Sequence, residues 1–419
     1  MSLNQLNPLR DSHEAAGAEM QAYGAVEIVS TFNEPQAEYA AIHKGCGLMD
    51  LPQRGIVEVT GADRLKFLNN LLTNELIDRE TKTPLQPGQG VYAFLLNNKT
   101  GRIILDLNLL EVDGDRTIIE LDARLIPLFF ETLDKYRFSE NVKWESKCGE
   151  LHEIALHGAS ALEIAGHAGK STPNPLTSDA PGLATSMALS PTSQIKGRVP
   201  FNTAEIKGTR PFISALSVST ARMLDHDVIV WRDDPCGVPG LHLIVPNAHV
   251  AAIWNDLLTR FGAVNDVQYA RKSIRPIGWA AFNTARIEAG RAIFGIDFDE
   301  TMLPLEISLA PRGVSFTKGC YPGQEIVARM HARQQVAKQI VGLRMDDDAL
   351  PVAGTIIYDD ANNQIGGITS STVSPVLSNA CIALGILKKP HFAIGTSVKI
   401  PAEGQLRKAK VVELPFVQR

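Results

Sequence analysis

Apolar and polar residues alternate through Gly55-Ile56-Val57-Glu58-Val59-Thr60, which predicts a half-buried strand, and Gly61-Ala62-Asp63 then turns the chain into a helix. That helix carries Leu65, Phe67, Leu68, Leu71 and Leu72 on its apolar side. Upstream, residues 1 to about 45 read as a polar lead followed by a helix from Pro35 to His43. Downstream, two apolar runs, 91–96 and 102–107, flank the polar turn Asn97-Asn98-Lys99-Thr100-Gly101 and predict a hairpin. A third strand follows at 117–121, and Asp122 caps a helix bearing Ile126, Leu128, Phe129, Leu133 and Tyr136.

From about Gly166 to Ile213 the periodicity disappears and Pro, Ser, Thr and Gly dominate, so this stretch reads as a long surface insertion, a weakly ordered excursion rather than a lid. Strands resume at 227–231 and 241–246, with helices around 250–261 and 278–290. Beyond Gln335 come six short strands (340–345, 355–358, 364–370, 381–387, 397–400, 408–414) with Gly- and Asn-rich turns, the pattern of a separate small barrel. The chain therefore divides into 1–165, the insertion 166–213, 214–335 and a barrel at 336–419.

Composition narrows the function classes. Across 419 residues, 44% are hydrophobic and 21% charged, which suits a soluble globular protein of roughly two or three domains. A net charge of -5 argues against a nucleic-acid surface. No apolar run approaches the roughly 18 residues of a membrane span, and the first residues lack the basic and apolar regions of a signal peptide, so a cytoplasmic protein is expected. The five cysteines are scattered, with no C-x-x-C pair, and neither they nor the acids of 291–306 have metal-ligand spacing; no metal is expected.

The most distinctive stretch is K-G-C-Y-P-G-Q-E at 318–325. Gly319 and Gly323 permit unusual backbone geometry, Pro322 stiffens the turn, and Lys318 could lower the pKa of the Cys320 thiol. The alternative is a small buried cysteine. A second candidate is Glu288 in R-I-E-A-G, because a buried glutamate is costly unless donors match its oxygens.

R-I-E-A-G followed by F-G-I-D-F-D-E-T-M-L-P-L-E resembles the R-L-E-A-G and Y-G-x-D-x-x-E-x-x-P-x-E run of the glycine-cleavage T-protein, and K-G-C-Y-P-G-Q-E resembles the signature of its YgfZ relatives. The likeness also takes in the hairpin at 90–107, P-G-L-H-L-I-V-P, I-G-G-I-T-S-S-T-V-S-P-V-L and E-L-P-F-V; only the insertion and the first thirty or so residues fall outside it. It implies an α+β fold, a three-lobed folate-binding ring of mixed and antiparallel sheets with helices plus a small C-terminal β-barrel. It also implies tetrahydrofolate, or a one-carbon derivative, in a central channel. On that resemblance Glu288 would match the adjacent N–H donors of a pterin and Tyr92 would supply an aromatic wall. Arg286 would support Glu288, and Arg329 and Arg333 would meet the anionic tail of folate unless they are ordinary surface charges. His331 is a candidate neighbour of Cys320.

Two departures separate branches of the family. The paired aspartates of T-proteins are Leu105-Asp106 here, and the glutamate of their Y-T-G-E-D-G run is Val238, within Pro235-Cys236-Gly237-Val238-Pro239-Gly240. A leucine cannot exchange a proton with a folate nitrogen, which counts against aminomethyl transfer. The leading expectation is thus a tetrahydrofolate-binding YgfZ-type protein assisting iron-sulfur cluster assembly or maintenance, with Cys320 as its functional thiol and iron-sulfur client or assembly proteins as partners. The alternative is a folate-dependent aminomethyltransferase or demethylase using Asp106. A scaffold that binds neither is the third.

Overall fold

The computed structural model describes residues 7–168, 216–262, 273–333 and 335–418, so the insertion expected at 166–213 lies outside the described residues from 169 onward. A short helix α1 (Arg10–Ala15) and a hairpin of β1 (Glu19–Tyr23) and β2 (Val26–Thr31) open the chain. The hairpin corrects the expected polar lead. Strand β1 keeps no residue buried, so it has no apolar alternation to read, and Gly24 turns the hairpin at φ +64°.

Helix α2 (Pro35–Lys44) leads into β3 (Cys46–Asp50), then β4 (Arg54–Thr60), α3 (Arg64–Leu71), β5 (Gln89–Leu96), β6 (Ile103–Glu111), β7 (Arg116–Asp122), α4 (Ile126–Tyr136) and β8 (Lys143–Ser146). Strand β9 (Leu151–His157) and α5 (Ala161–Ala168) precede β10 (Leu216–Met223), β11 (His226–Arg232), β12 (Gly240–Pro246), α6 (Val250–Phe261), β13 (Ile274–Pro276) and α7 (Trp279–Glu288). Two further helices, α8 (Ala310–Gly313) and α9 (Gln324–Arg333), lie within the segment that leads to the C-terminal strands.

Among the described residues one eleven-stranded sheet runs in the order β13-β3-β9-β12-β11-β10-β5-β6-β7-β4-β8, antiparallel throughout except for β3 with β13. Strand β10 splices its halves: Val218 to Met223 pair with β11, while Leu216 and Ser217 pair with Gly90 and Gln89 of β5. Each half covers its outer face with helices. Leu95, Leu105, Leu107 and Ile119 pack on Phe67, Leu68 and Phe129 of α3 and α4, and Leu156, Leu243 and Val230 pack on Ile164, Ile253 and Trp254 of α5 and α6. The inner faces share a third core with residues 292–327.

The remaining strands, β14 (Lys338–Met345), β15 (Ile356–Tyr358), β16 (Gln364–Ser374), β17 (Ala380–Lys388), β18 (Ser397–Ala402) and β19 (Gln405–Val412), close a barrel in the order β14-β17-β16-β15-β18-β19. The molecule is therefore α+β, a large mostly antiparallel sheet with helices plus a small C-terminal barrel, as the resemblance implies. Among the described residues no helix is long and apolar enough to cross a membrane.

Helix α7 docks on the barrel through side chains the sequence reading assigned to a ligand. Arg286 has no exposed surface; it ion-pairs with Asp297 and donates to Ser370 Oγ of β16 at 2.7 Å. Glu288 accepts from Tyr39 Oη of α2 at 2.7 and 2.8 Å and from Ser374 Oγ of β16 at 2.5 Å. Removing one partner of a buried pair strands the other's charge. Arg286→Met is accordingly expected to destabilise the protein by about 3–5 kcal/mol in urea unfolding at pH 7, with Asp297 left unpaired. A loss under about 1 kcal/mol would show that the ion pair does not hold the barrel.

Candidate functional site

Strand alternation decides which side chains reach the interior between the two half-sheets. On β5, Tyr92, Phe94 and Leu96 face inward while Val91, Ala93 and Leu95 face the helices. On β6 the residues directly opposite Phe94 and Tyr92 are Asp106 and Asn108, and the residue opposite Asn108 on β7 is Glu120. Residue 105 points the other way. Leu105 is wholly buried in the outer core against α3 and α4, so a carboxylate there would face hydrocarbon and not the interior. The loss of the leading aspartate therefore leaves the inward-facing acid intact, which corrects the weight that the sequence reading gave to it.

Tyr92 Oη donates to Asp106 Oδ2 at 2.7 Å. Asp106 stays partly exposed, yet burial raises its carboxyl above the usual range, against the pull of Arg54 and Tyr92. Beside the Tyr92 ring lie two guanidinium groups, Arg312 at 5.0 Å and Arg291 at 6.0 Å. Both pair with Asp233, Arg291 Nη2 to Oδ2 at 2.6 Å and Arg312 Nη1 to Oδ1 at 2.7 Å. Burial opposes ionisation of Asp233, but the two arginines win and hold its pKa below the usual carboxylate range.

On the same half-sheet, Asn108 Nδ2 donates to Glu120 at 2.7 Å and Arg54 ion-pairs with the same carboxylate. Glu153 on β9 receives His242 Nδ1 of β12 at 2.7 Å. Burial, and then the charge of Glu120, push the Glu153 carboxyl up. The imidazole of His242 stacks on Trp231 with 4.2 Å between centroids, and His157 stands edge-on to it at 5.5 Å. Burial and the neighbouring His242 lower His157 to about 3. Gly240 opens β12 because a Cβ there would lie 2.0 Å from the Asp233 carbonyl oxygen.

Several buried polar atoms in this cluster have no protein partner: Nε2 of His242, Oε2 of Glu153, Oδ1 of Asn108, Nε1 of Trp231, and Nε and Nη2 of Arg312. Each unsatisfied buried group costs on the order of 1–3 kcal/mol, so their concentration in one place is unexpected for packing alone. A fused polar heterocycle carrying both donors and acceptors, as a pterin does, fits this set. Among the described residues no group of three or more His, Cys, Asp or Glu side chains is arranged to hold a metal ion.

The other sequence candidates fall elsewhere. Among the described residues Glu288 is hydrogen-bonded to Tyr39 and Ser374 and not to Tyr92 or Asp106, which leaves its oxygens little capacity for a pterin. Arg286 does not touch Glu288 either, but its Nη1 donates to the Arg291 carbonyl at 3.1 Å and fixes the turn that delivers Arg291 to Asp233. Arg329 pairs with Glu325 on the exposed face of α9, and Arg333 is exposed at the end of that helix. His331 stacks on Phe316 at 4.0 Å.

In the octapeptide, Cys320 is an exposed free thiol, and Gly323 adopts φ +78° beside the Asn97 carbonyl, whereas Gly319 has open space around it. Lys318 does not serve the thiol as expected. It is buried, donates to the backbone carbonyls of Asn69, Leu72 and Asn74, and burial lowers its pKa to about 7. Asn74 in turn donates to the Tyr92 and Arg312 carbonyls, both at 2.9 Å. Val238, at the position of the missing glutamate, is buried among apolar side chains.

Sequence reasoning missed Arg54, Glu120, Glu153, Asp233, His242 and Arg312. Each charge in a strand-forming run was a detectable anomaly, since burial of an unpaired charge is so costly.

Residues 9–174 match the GCVT N-terminal domain, and residues 338–418 match the glycine cleavage T-protein C-terminal barrel domain. Aminomethyltransferases of Prosthecochloris aestuarii and Bordetella petrii are each 27% identical, over 97% of this chain and 97% of the first, and over 98% of this chain and 96% of the second. The crystal structure of the glycine cleavage system aminomethyltransferase T from Bartonella henselae shares the fold, with a TM-score of 0.76 at 21% identity over 98% of this chain and 97% of that one.

If residue 105 faces only the helical core, then Leu105→Asp is expected to lower stability by at least about 2 kcal/mol without altering ligand affinity at a temperature where the variant stays folded. Urea unfolding and calorimetric titration with tetrahydrofolate check this. A variant of unchanged stability with altered affinity would mean that position 105 reaches the interior.

Proposed function

The chain is a member of the glycine-cleavage T-protein superfamily, carrying its N-terminal and C-terminal barrel domains, and on that premise we propose that it is a folate-dependent one-carbon transferase of the aminomethyltransferase type. The observation that carries this reading is the Tyr92–Asp106 pair, an inward-facing carboxyl retained although its neighbour in sequence has become leucine. Tetrahydrofolate supplies, when bound, the amine that takes up the one-carbon unit.

Tyr92, braced by Arg291 and Arg312, offers an aromatic wall with its hydroxyl fixed on Asp106. Asp106, with its affinity for protons raised by burial, is suited to exchange a proton with an amine nitrogen within hydrogen-bond reach. Asn108 and Glu153 supply acceptors for ring N–H groups, and Arg312 supplies donors. Asp233 pairs with both buried arginines, so the trio presents a single net positive charge behind the wall.

Accessory work on iron-sulfur proteins is the second reading, supported by the exposed Cys320 thiol on its shaped loop. It ranks lower because the relatives are named aminomethyltransferases and Lys318 is committed to backbone carbonyls.

Two measurements test these readings. Asp106→Asn is expected to cut formation of methylenetetrahydrofolate from an aminomethyl donor by about 10²–10⁴-fold while tetrahydrofolate affinity changes less than about tenfold. Absence of saturable tetrahydrofolate binding to the unmodified protein overturns the proposal. Cys320→Ser is expected to leave transfer unchanged; loss of iron-sulfur enzyme activities in cells carrying only that variant would promote the second reading.

A further inference from the structure

The Glu153–His242 pair is not explained by packing. Glu153 sits in the middle of Leu151-His152-Glu153-Ile154-Ala155-Leu156, on a strand flanked by two others, and only 1% of it is exposed. A carboxylate in that setting persists only with a partner. Its partner is the imidazole two residues into β12, and the bond uses Nδ1. A carboxylate accepting at Nδ1 fixes the proton there and leaves the lone pair on Nε2. That Nε2 is buried and has no protein partner.

We propose that His242, oriented by Glu153, is a second proton acceptor of this site in addition to Asp106: its Nε2 takes a hydrogen bond, and during transfer the proton, from an N–H of the bound heterocycle. The proposal rests on the folate reading above. When the proton moves, the ligand N–H bond breaks and an Nε2–H bond forms; the electron pair stays on the ligand nitrogen, and Glu153 balances the resulting imidazolium.

Its surroundings suit that task. From β9, Glu153 grips one edge of the ring and His157 stands edge-on to it; from β11 and the turn after it come the Trp231 face and the charge of Asp233; from β7 comes the charge of Glu120, itself paired with Arg54. The face of Trp231 fixes the plane of the imidazole. His157 cannot substitute: no carboxylate orients it, and burial holds it neutral. Asp106 and His242 thus stand on the two halves of the spliced sheet, one on β6 and one on β12.

The experiment is calorimetric titration of the full chain with tetrahydrofolate from pH 5.5 to 8.5, for the unmodified protein, His242→Gln and Glu153→Gln. Protonation of Nε2 removes the acceptor, so affinity is expected to fall as pH falls, and the slope should vanish in His242→Gln together with about tenfold of the affinity at pH 8. Glu153→Gln releases the tautomer and should weaken binding while shifting the profile. A pH-independent affinity in the unmodified protein, or an unchanged slope in His242→Gln, overturns the proposal. Nitrogen-15 spectra of the histidines in the unmodified protein decide the matter even if a variant fails to fold. An Nδ1–H tautomer whose Nε2 resonance moves on adding tetrahydrofolate supports the assignment, and an Nε2–H tautomer overturns it. No binding at any pH overturns the folate reading and this one with it, whereas binding with a flat profile overturns this one alone.

Discussion

The carboxylate of Asp233 is the point on which the interior depends. It pairs with Arg291, delivered by the turn after α7, and with Arg312, delivered by α8, offsetting one of their two charges, and these two flank the ring of Tyr92 on β5. Without it two guanidinium groups would face each other in a buried space, and the lowered pKa of Arg291, caused first by burial and then by Arg312, registers that repulsion. Four segments remote in sequence are thereby locked around one aromatic wall. Arg286 extends the lock outward, since it holds the Arg291 carbonyl and the barrel strand β16 at once.

Much of the fold was legible because period-2 alternation and glycine turns are local signals. The hairpin of β5 and β6, the helices after β4 and β7, and the six barrel strands all follow from them. The hairpin of β1 and β2 was not legible, since β1 buries nothing and its only signature is a glycine at positive φ. The site was half legible. Tyr92 and Asp106 came through the resemblance, and alternation alone would have shown that Leu105 and Asp106 belong to opposite faces. For Glu288 and Arg286 the motif names residues without saying which way they point; the structure places them where they brace the barrel and position Arg291. Glu153 and His242 were invisible as a pair, because 89 residues separate them and only sheet pairing brings them together.

The octapeptide shows the same lesson from the other side. Its eye-catching cysteine is exposed, and its quieter lysine is the structural member. Lys318 gathers the Asn69 carbonyl of α3 and those of Leu72 and Asn74 in the loop after it, and Asn74 of that loop holds the backbone at Tyr92 and Arg312. The motif thus supports the aromatic wall from behind.

Tyr39 and Glu288, which meet at the joint between α2, α7 and the barrel, are 249 residues apart, and Ser374 lies 86 beyond Glu288. Contacts of that span close only after most of the chain has been made, because the loop entropy must be met before they contribute. The barrel is therefore no detachable module, although it closes on itself. A ribosome-bound chain that lacks it holds Arg286 and Glu288 without their serine partners, and the turn carrying Arg291 is secured last.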